Sequence, residues 1–462
     1  MVTSQGNSVS RKKTAKGSAP PEGEVYSKGC GVFGSLGHGD ALQDVDSFTR
    51  VDLEGSRAVS VSAGWGHSAA VTSDARLLVF GRPFDFSNIM QINRLHSFSP
   101  NLGRFVGRLT GLFGAGASSN SGINSSSADA GLYTTPTYFD IGDVDTVTCS
   151  AGLTAALTLH GRVFCFGLNR WGQCGTGGGG GKQHQQQHVY KPREVALPHH
   201  ATMVDAGLQH CAAALSTGQV ATWGKGTRGQ LGDGNNDTSA EPVLVKFPSA
   251  AGVVVTAVSA GFGHTAALAE DGVVWVWGKG MSGQPKEGQR QSASGLVQVH
   301  LDQPLPRPLT MPKGLRAKEI CSSNFSLVIR AVDDSLWAVG LGEEDRLCIA
   351  EPVPVQQAAV AAPDAAPGMV ISSPQVVLGP AAVLRRGYQR VALFDAASVS
   401  ASPTATTWAT YTNPAERVFE VVLHDGEAFL DPLEGFSSDP GSQSKEVIDL
   451  ARGWRATLAV LK

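Results

Sequence analysis

One stretch recurs along this chain at a fixed interval. "VSAGFGHTAALAEDGVVWVWGKG" runs from Val258 to Gly280, and close copies begin at Val204 ("VDAGLQHCAAALSTGQVATWGKGTRGQLGDG") and Val61 ("VSAGWGHSAAVTSDARLLVFG"). "CSAGLTAALTLHGRVFCFGLNRWGQCGTG", from Cys149, reads as a fourth copy one residue tighter in its turn. In that alignment Gly152 to Gly207 is 55 residues and Gly207 to Gly261 is 54. A period of this size indicates a solenoid or a propeller, since one unit cannot bury its apolar face alone.

Fainter copies follow. "ICSSNFSLVIRAVDDSLWAVGLG" from Ile320 lacks the glycine and histidine but keeps the apolar rhythm, and "VSASPTATTWATY" from Val399 matches the start of the Val61 unit, with "FEVVLHDGEAFL" as its second half. The chain ends on a first half, "IDLARGWRATLAVLK". It begins with a second half: "EVYSKGCGVFGSLGHGD", Glu24 to Asp40, superimposes without a gap on "QVATWGKGTRGQLGDG". The two half-units complete one another, which satisfies sheet edges that would otherwise lie open. The expected fold is therefore all-β, a seven-bladed β-propeller closed by N- and C-terminal strands in one blade. Its domain spans 24–462, with inserts at 84–145, 176–192, 281–318 and 351–385, behind a flexible basic tail or transit-peptide remnant at 1–23.

Each half-unit reads as a strand pair. "HTAALAEDGVVWVWG" is strand, Asp-Gly turn, strand. Gly 56 of 462 residues suits many tight turns. The pattern V-x-A-G-x-x-H-x-x-A-L, then D-G-x-V-x-x-W-G-x-G-x-x-G-Q-L-G-x-G, resembles the regulator-of-chromosome-condensation repeat over nearly all of 24–462. That resemblance implies a seven-bladed propeller. The kelch repeat has a similar period but expects a Gly-Gly doublet after a strand in each unit, which these units lack.

Recurrence also decides how the conspicuous residues read. Gly-x-Gly-x-x-Gly occurs at Gly29, Gly224 and Gly278, but "SLGHGD" and "QLGDG" follow two of these copies where a dinucleotide fingerprint needs a helix. His67, His210 and His264 share one repeat position, as do Gly64, Gly207 and Gly261, with Gly152 aligned to them. A histidine repeated in register serves architecture, here by bonding the backbone of a neighbouring blade. His184, His188, His199 and His200 cluster near a Gly-rich run that will not hold a metal-binding helix. The seven cysteines show no CxxC spacing, so they read as buried thiols. No catalytic set, metal site or cofactor is expected, and the chain reads as a binding protein rather than an enzyme. A net charge of −3 argues against a dominant nucleic-acid surface, although local RNA contact stays open.

Attention therefore shifts to what does not repeat. In the Phe84–Gly114 stretch no acid occurs between Asp85 and Asp129, and Leu102, Phe105, Val106, Leu109, Leu112 and Phe113 fall at helical spacing, flanked by Arg104 and Arg108. Such a segment suits its own propeller, a protein or a membrane interface through 102–113, and no run is long enough for a transmembrane helix. Met281–Lys318 carries six bases against two acids, and Glu416–Asp449 nine acids against two bases. The candidate partner-binding residues are Phe86, Arg94, Arg104, Phe105, Arg108, Lys286, Arg290, Arg307, Lys313 and Arg316.

The resemblance further implies a platform for protein partners, since its founding member is an exchange factor for a nuclear small GTPase and other relatives are scaffolds. One plant group senses ultraviolet light through clustered tryptophans, and no repeated Trp triad occurs here. "VFCFGLNRWGQCGTG", the long Pro-rich connection and the basic, acid-free residues 1–21 resemble the mitochondrial members. Those are linked to ribosome assembly and to a dynamin-like fusion GTPase. Mitochondrial localisation is the expectation, with nucleus or cytosol as the alternative.

Overall fold

The computed structural model describes residues 20–29, 31–40, 44–84, 132–177, 188–247, 252–279, 302–309, 311, 314–322, 326–333 and 336–340. It further describes 375–378, 396–400, 408–412, 418–424, 427–432, 447–452 and 456–462. These residues form seven four-stranded antiparallel sheets. Blade 1 is Ala58–Ala63, His67–Thr72, Leu77–Gly81 and Tyr133–Phe139, from inner to outer strand. Blade 2 is Val144–Cys149, Leu153–Thr158, Val163–Leu168 and His188–Glu194; blade 3 is Ala201–Ala206, His210–Leu215, Val220–Gly224 and Ser239–Leu244. Blade 4 is Val255–Ala260, His264–Ala269, Val274–Lys279 and Asp302–Leu309. Blades 5 and 6 follow from Ala317 to Leu378 and from Ala396 to Pro432.

Blade 7 is split as its half-units imply. Val447–Arg452 and Ala456–Leu461 pair with Glu24–Gly29 and Val45–Val51, Glu24 lying opposite Leu461 and Gly29 opposite Ala456. This sheet packs against the inner strands of both blade 1 and blade 6, so the first and last sheets in chain order meet.

Burial explains why the inner strands look alike. Along His67–Thr72, His210–Leu215 and His264–Ala269 every residue is buried, because each inner sheet is covered on both faces by neighbouring blades. Alanines occupy the crowded inner rows, and larger groups such as Phe166, Trp223 and Trp277, each 0% exposed, fill the widening space between blades.

The outer strands differ and correct the expected inserts. Tyr133–Phe139, Asp302–Leu309 and Gln375–Leu378 lie in stretches expected to be connection, and His188–Glu194 begins in one, yet each is the fourth strand of a blade. One edge of such a strand faces outwards, so the apolar signature weakens and proline is tolerated, as in "DQPLPRPL". Much of the acidic Glu416–Asp449 stretch is likewise strand, contributing Val418–His424 and Glu427–Pro432 to blade 6. The segments 85–131, 280–301 and 341–374 lie outside the described residues.

Candidate interaction face

The recurrent polar residues are used between blades. His67 Nε2 lies 2.9 Å from Thr154 Oγ1 of blade 2, and His210 Nε2 lies 2.8 Å from Thr265 Oγ1 of blade 4. A hydroxyl of the next blade is thus one partner, and the backbone of the next blade, at Leu153 for His67 and at His264 for His210, bonds the ring as well, as expected. Burial holds the His67 and His210 imidazoles down at about 3, and His264 at about 4. Neutral and fully enclosed, they are out of reach of any substrate.

Gly207 makes room for this ring. A Cβ there would stand 2.6 Å from both His210 Cε1 and the Gly261 carbonyl of blade 4. The backbone bonds also correct the alignment of blade 2. Gly64, Gly207 and Gly261 each donate to the carbonyl of their histidine, and in blade 2 the equivalent bond runs from Ser150 to Leu153. Ser150, not Gly152, occupies the glycine position, and Leu153 replaces the histidine. Gly152 instead corresponds to Gly66, Gln209 and Gly263, whose carbonyls accept from the residue that follows the third-strand glycine.

A second set went unread in the sequence because it sits at the variable place in V-x-A-G. Ser62, Thr148, Asp205 and Ser259 lie there in blades 1 to 4. Ser62 Oγ accepts from the Cys149 N–H at 2.9 Å, and Ser259 Oγ from the Ser322 N–H at 2.8 Å. Asp205 Oδ2 accepts from the Ala260 N–H at 2.8 Å, and Asp205 Oδ1 from Thr148 Oγ1 at 3.0 Å. Asp205 thereby ties three blades together. Its carboxyl is raised above the usual carboxylate range because burial outweighs these bonds. The signal was available: in blades 1 to 4 every residue in that column is small and polar.

The Gly-rich run after the third strand of blades 2, 3 and 7 is a strap across to the next blade. Gly224 to Gly234 leaves blade 3 and reaches the outer strand of blade 4, where the Gly234 N–H donates to Pro304. Gly29 to Gly39 does the same from blade 7 to Thr134 of blade 1. Gly229, at φ 74, could not carry a side chain, since a Cβ would stand 2.6 Å from Pro304 Cα. The strap carbonyl of Gln173 accepts from Trp223 Nε1 at 3.0 Å, and that of Gln230 from Trp277 Nε1 at 2.9 Å. These glycines, like Gly278, thus serve turns and close approach.

What the repeat leaves half-exposed is charge at one end of the barrel of blades. His67 opposite Gly81 and His210 opposite Gly224 put the inner turns and the start of each strap at the same end. Here Arg82, Lys225 and Lys279 occupy one repeat position, directly after the third-strand glycine. Each lies over an aromatic ring: Arg82 over Phe33 at 5.5 Å, Lys225 over Trp171 at 4.5 Å and Lys279 over Phe262 at 5.5 Å. Lys225 Nζ also donates to Gln209 Oε1 at 2.7 Å. Burial, then the charges of Arg228 and Lys279, hold the Lys225 ammonium below its ordinary value.

Of the candidate partner residues, Arg307 and Arg316 are among the described residues. Arg307 is half-buried on the outer strand of blade 4, where burial lowers its guanidinium, and pairs in register with Val276. Arg316 is exposed at the opposite end, its carbonyl accepting from the Val332 N–H. Phe86, Arg94, Arg104, Phe105, Arg108, Lys286, Arg290 and Lys313 lie outside the described residues. His188 stacks on Tyr190 at 5.7 Å, while His199 and His200 precede blade 3 at its other end. Among the described residues no group of three or more His, Cys, Asp or Glu is placed to hold a metal, and no helix is long and apolar enough to cross a membrane.

Family models of the regulator of chromosome condensation repeat match residues 22–71, 160–214, 217–268 and 255–284. The chain carries this repeat in those four stretches. It is 28% identical over 286 residues to the ultraviolet-B receptor UVR8 of Arabidopsis thaliana, covering 56% of this chain and 62% of that protein. It is 29% identical over 195 residues to human E3 ubiquitin-protein ligase HERC2, covering 42% of this chain and 4% of the ligase. The chain thus spans less than two thirds of either curated relative. Among solved structures, human WBSCR16 superimposes with a TM-score of 0.63 at 15% identity, over 95% of this chain and 100% of that one. Saccharomyces cerevisiae Prp20p does so with a TM-score of 0.63 at 14% identity, over 96% and 92%. These two show the shared fold.

Proposed function

We propose that this protein-interaction propeller is a non-catalytic mitochondrial scaffold or assembly factor, serving ribosome or respiratory-complex assembly and linked to a GTPase. The observation that carries the reading is the division of labour among its polar residues. Histidines, hydroxyls and Asp205 bond blade to blade in the interior, and three of the cation–aromatic pairs share one end, where a partner can reach them. Such a surface binds and positions without covalent chemistry. The mitochondrial part rests on the basic, acid-free composition of residues 1–21.

Fractionation of cells expressing the full chain with a C-terminal tag tests localisation; recovery outside mitochondria removes that part. Affinity purification from the same cells is expected to return subunits of a mitochondrial assembly. A second reading, exchange factor for a small GTPase in nucleus or cytosol, draws on Prp20p, a fold relative with binding properties to Gsp1p and histones. It requires faster nucleotide release from a GTPase at micromolar propeller, and no acceleration across a panel of small GTPases removes it.

A further inference from the structure

We infer that the strap end of blades 1 to 4 is a docking surface for an acidic peptide segment of a protein partner, with Arg82, Lys225 and Lys279 as its anchors. The inference deepens the reading of the chain as an interaction platform and rests on it.

Three observations converge. The first is position: these cations share one register place in blades 1, 3 and 4, beside the inner turns and the strap starts. Arg170 and Arg228 of the intervening straps are exposed, which extends the cations into an arc over four successive blades. The second is sign. Among the described residues, the inner turns 64–66, 150–152, 207–209 and 261–263 and the strap stretches 168–177 and 224–232 contain no acid, and Asp233 enters the blade 3 strap only at its far end. The hairpins at the opposite end carry Asp74, Glu270, Asp271 and Asp333 beside Arg76 and Arg162. The turns at the strap end thus carry cations without acids, whereas those at the opposite end are mixed. Arg228 has a carboxylate partner in Asp302 at 3.3 Å, towards the rim.

The third observation is order. A lysine on an aromatic face loses less freedom on binding than one waving in solvent, because the ring already holds its stem. Trp171 holds Lys225, and Gln209 fixes its ammonium from the other side. Positive charge is thereby gathered in place before any partner arrives, and Lys225 is less stable as a cation first because of burial and then for having Arg228 and Lys279 near it. A carboxylate-bearing segment lying along the arc relieves that repulsion.

Nucleic acid fits less well. Its bases need free aromatic faces for stacking, and here the rings lie beneath cations. Phosphate tracking also draws on denser Lys/Arg clusters than one cation per blade.

The test is fluorescence anisotropy of a labelled glutamate-rich peptide titrated with the full chain at low salt. Saturable binding is expected, at least ten-fold weaker at 0.3 M salt and at least ten-fold weaker again in K225E/K279E. Arg57→Glu, at the opposite end, is expected to bind as the parent does. A labelled RNA oligonucleotide of equal charge is expected to bind more weakly. Carbodiimide coupling of the peptide to the unaltered chain, mapped by mass spectrometry, keeps the test decisive if the double variant misfolds: Lys225 and Lys279 should be the coupled lysines. Coupling mainly to Lys191, Lys246 or Lys318 overturns the inference, as does equal binding by a folded double variant, tighter RNA binding or absence of binding. In each of those cases, recovery of a mitochondrial assembly by affinity purification would leave the scaffold reading standing and remove only this face.

Discussion

At the scale of single residues, the turn between the first two strands shows how far one column of the repeat depends on another. Glycine accompanies histidine in blades 1, 3 and 4, and serine accompanies leucine in blade 2. The sequence showed the glycine–histidine pair but could not place its replacement, because Gly152 lies two residues from Ser150 and offers a more attractive match. The coupling predicts a non-additive pair. Gly207→Ser pushes its Cβ into the His210 ring and should cost about 2 kcal/mol by overpacking. Adding His210→Leu should recover more than half of that, as Ser150 and Leu153 coexist in blade 2. Urea unfolding of the two single variants and the double variant reads the coupling, and strict additivity would refute it. Asp205→Ala is more severe, because it removes the acceptor for two backbone N–H groups and two hydroxyls inside the ring. A loss of about 3 kcal/mol is expected in the same assay, against about 1 kcal/mol for Ser62→Ala, which removes a single acceptor.

At the scale of elements, the inner three strands of most blades were legible because complete burial forces small and β-branched residues into a repeating order. The outer strands were hidden because partial exposure relaxes that order and long connections precede them. The straps fell between these cases. Their glycines were visible, and their task became clear only when the indoles of the following blade were seen to donate to them. Trp223→Phe should therefore cost about 1 kcal/mol beyond the small loss of area, since the Gln173 carbonyl loses a donor at 3.0 Å. Blade 2 supplies the natural comparison. Phe166 holds the same register there, opposite Thr154 as Trp223 is opposite Cys211, and stacks on Phe139 at 4.8 Å. Phe166→Trp should gain nothing from its added N–H, because among the described residues the rings of Phe84 and Phe139 pack on that site. A Trp223→Phe chain with unaltered unfolding free energy would show that the strap bond does not matter.

At the scale of the whole molecule, bonds between blades make acid a global stress rather than a local one. His67 joins blade 1 to blade 2 and His210 joins blade 3 to blade 4, while His264 is buried in the same register of blade 4. Above pH 6.5 all three imidazoles are neutral whether the chain is folded or unfolded, so they add no pH dependence. Below 6.5 the unfolded chain takes up protons that the folded chain refuses until its own values of about 3 to 4. Stability present in full at pH 7 is therefore lost as pH falls, by about 2 kcal/mol per histidine at pH 5. Asp205 acts in the opposite sense, since its raised carboxyl favours the folded state on acidification. One carboxyl offsets only part of three imidazoles. The urea midpoint should thus fall markedly between pH 7 and pH 5, with the secondary-structure and tryptophan-fluorescence signals moving together as the ring opens as a unit. In Gly207→Ser/His210→Leu, which leaves two of the three buried histidines, the fall should shrink by about a third. An unchanged midpoint at pH 5, or an equal fall in that double variant, would mean that the imidazoles do not govern how the ring responds to acid.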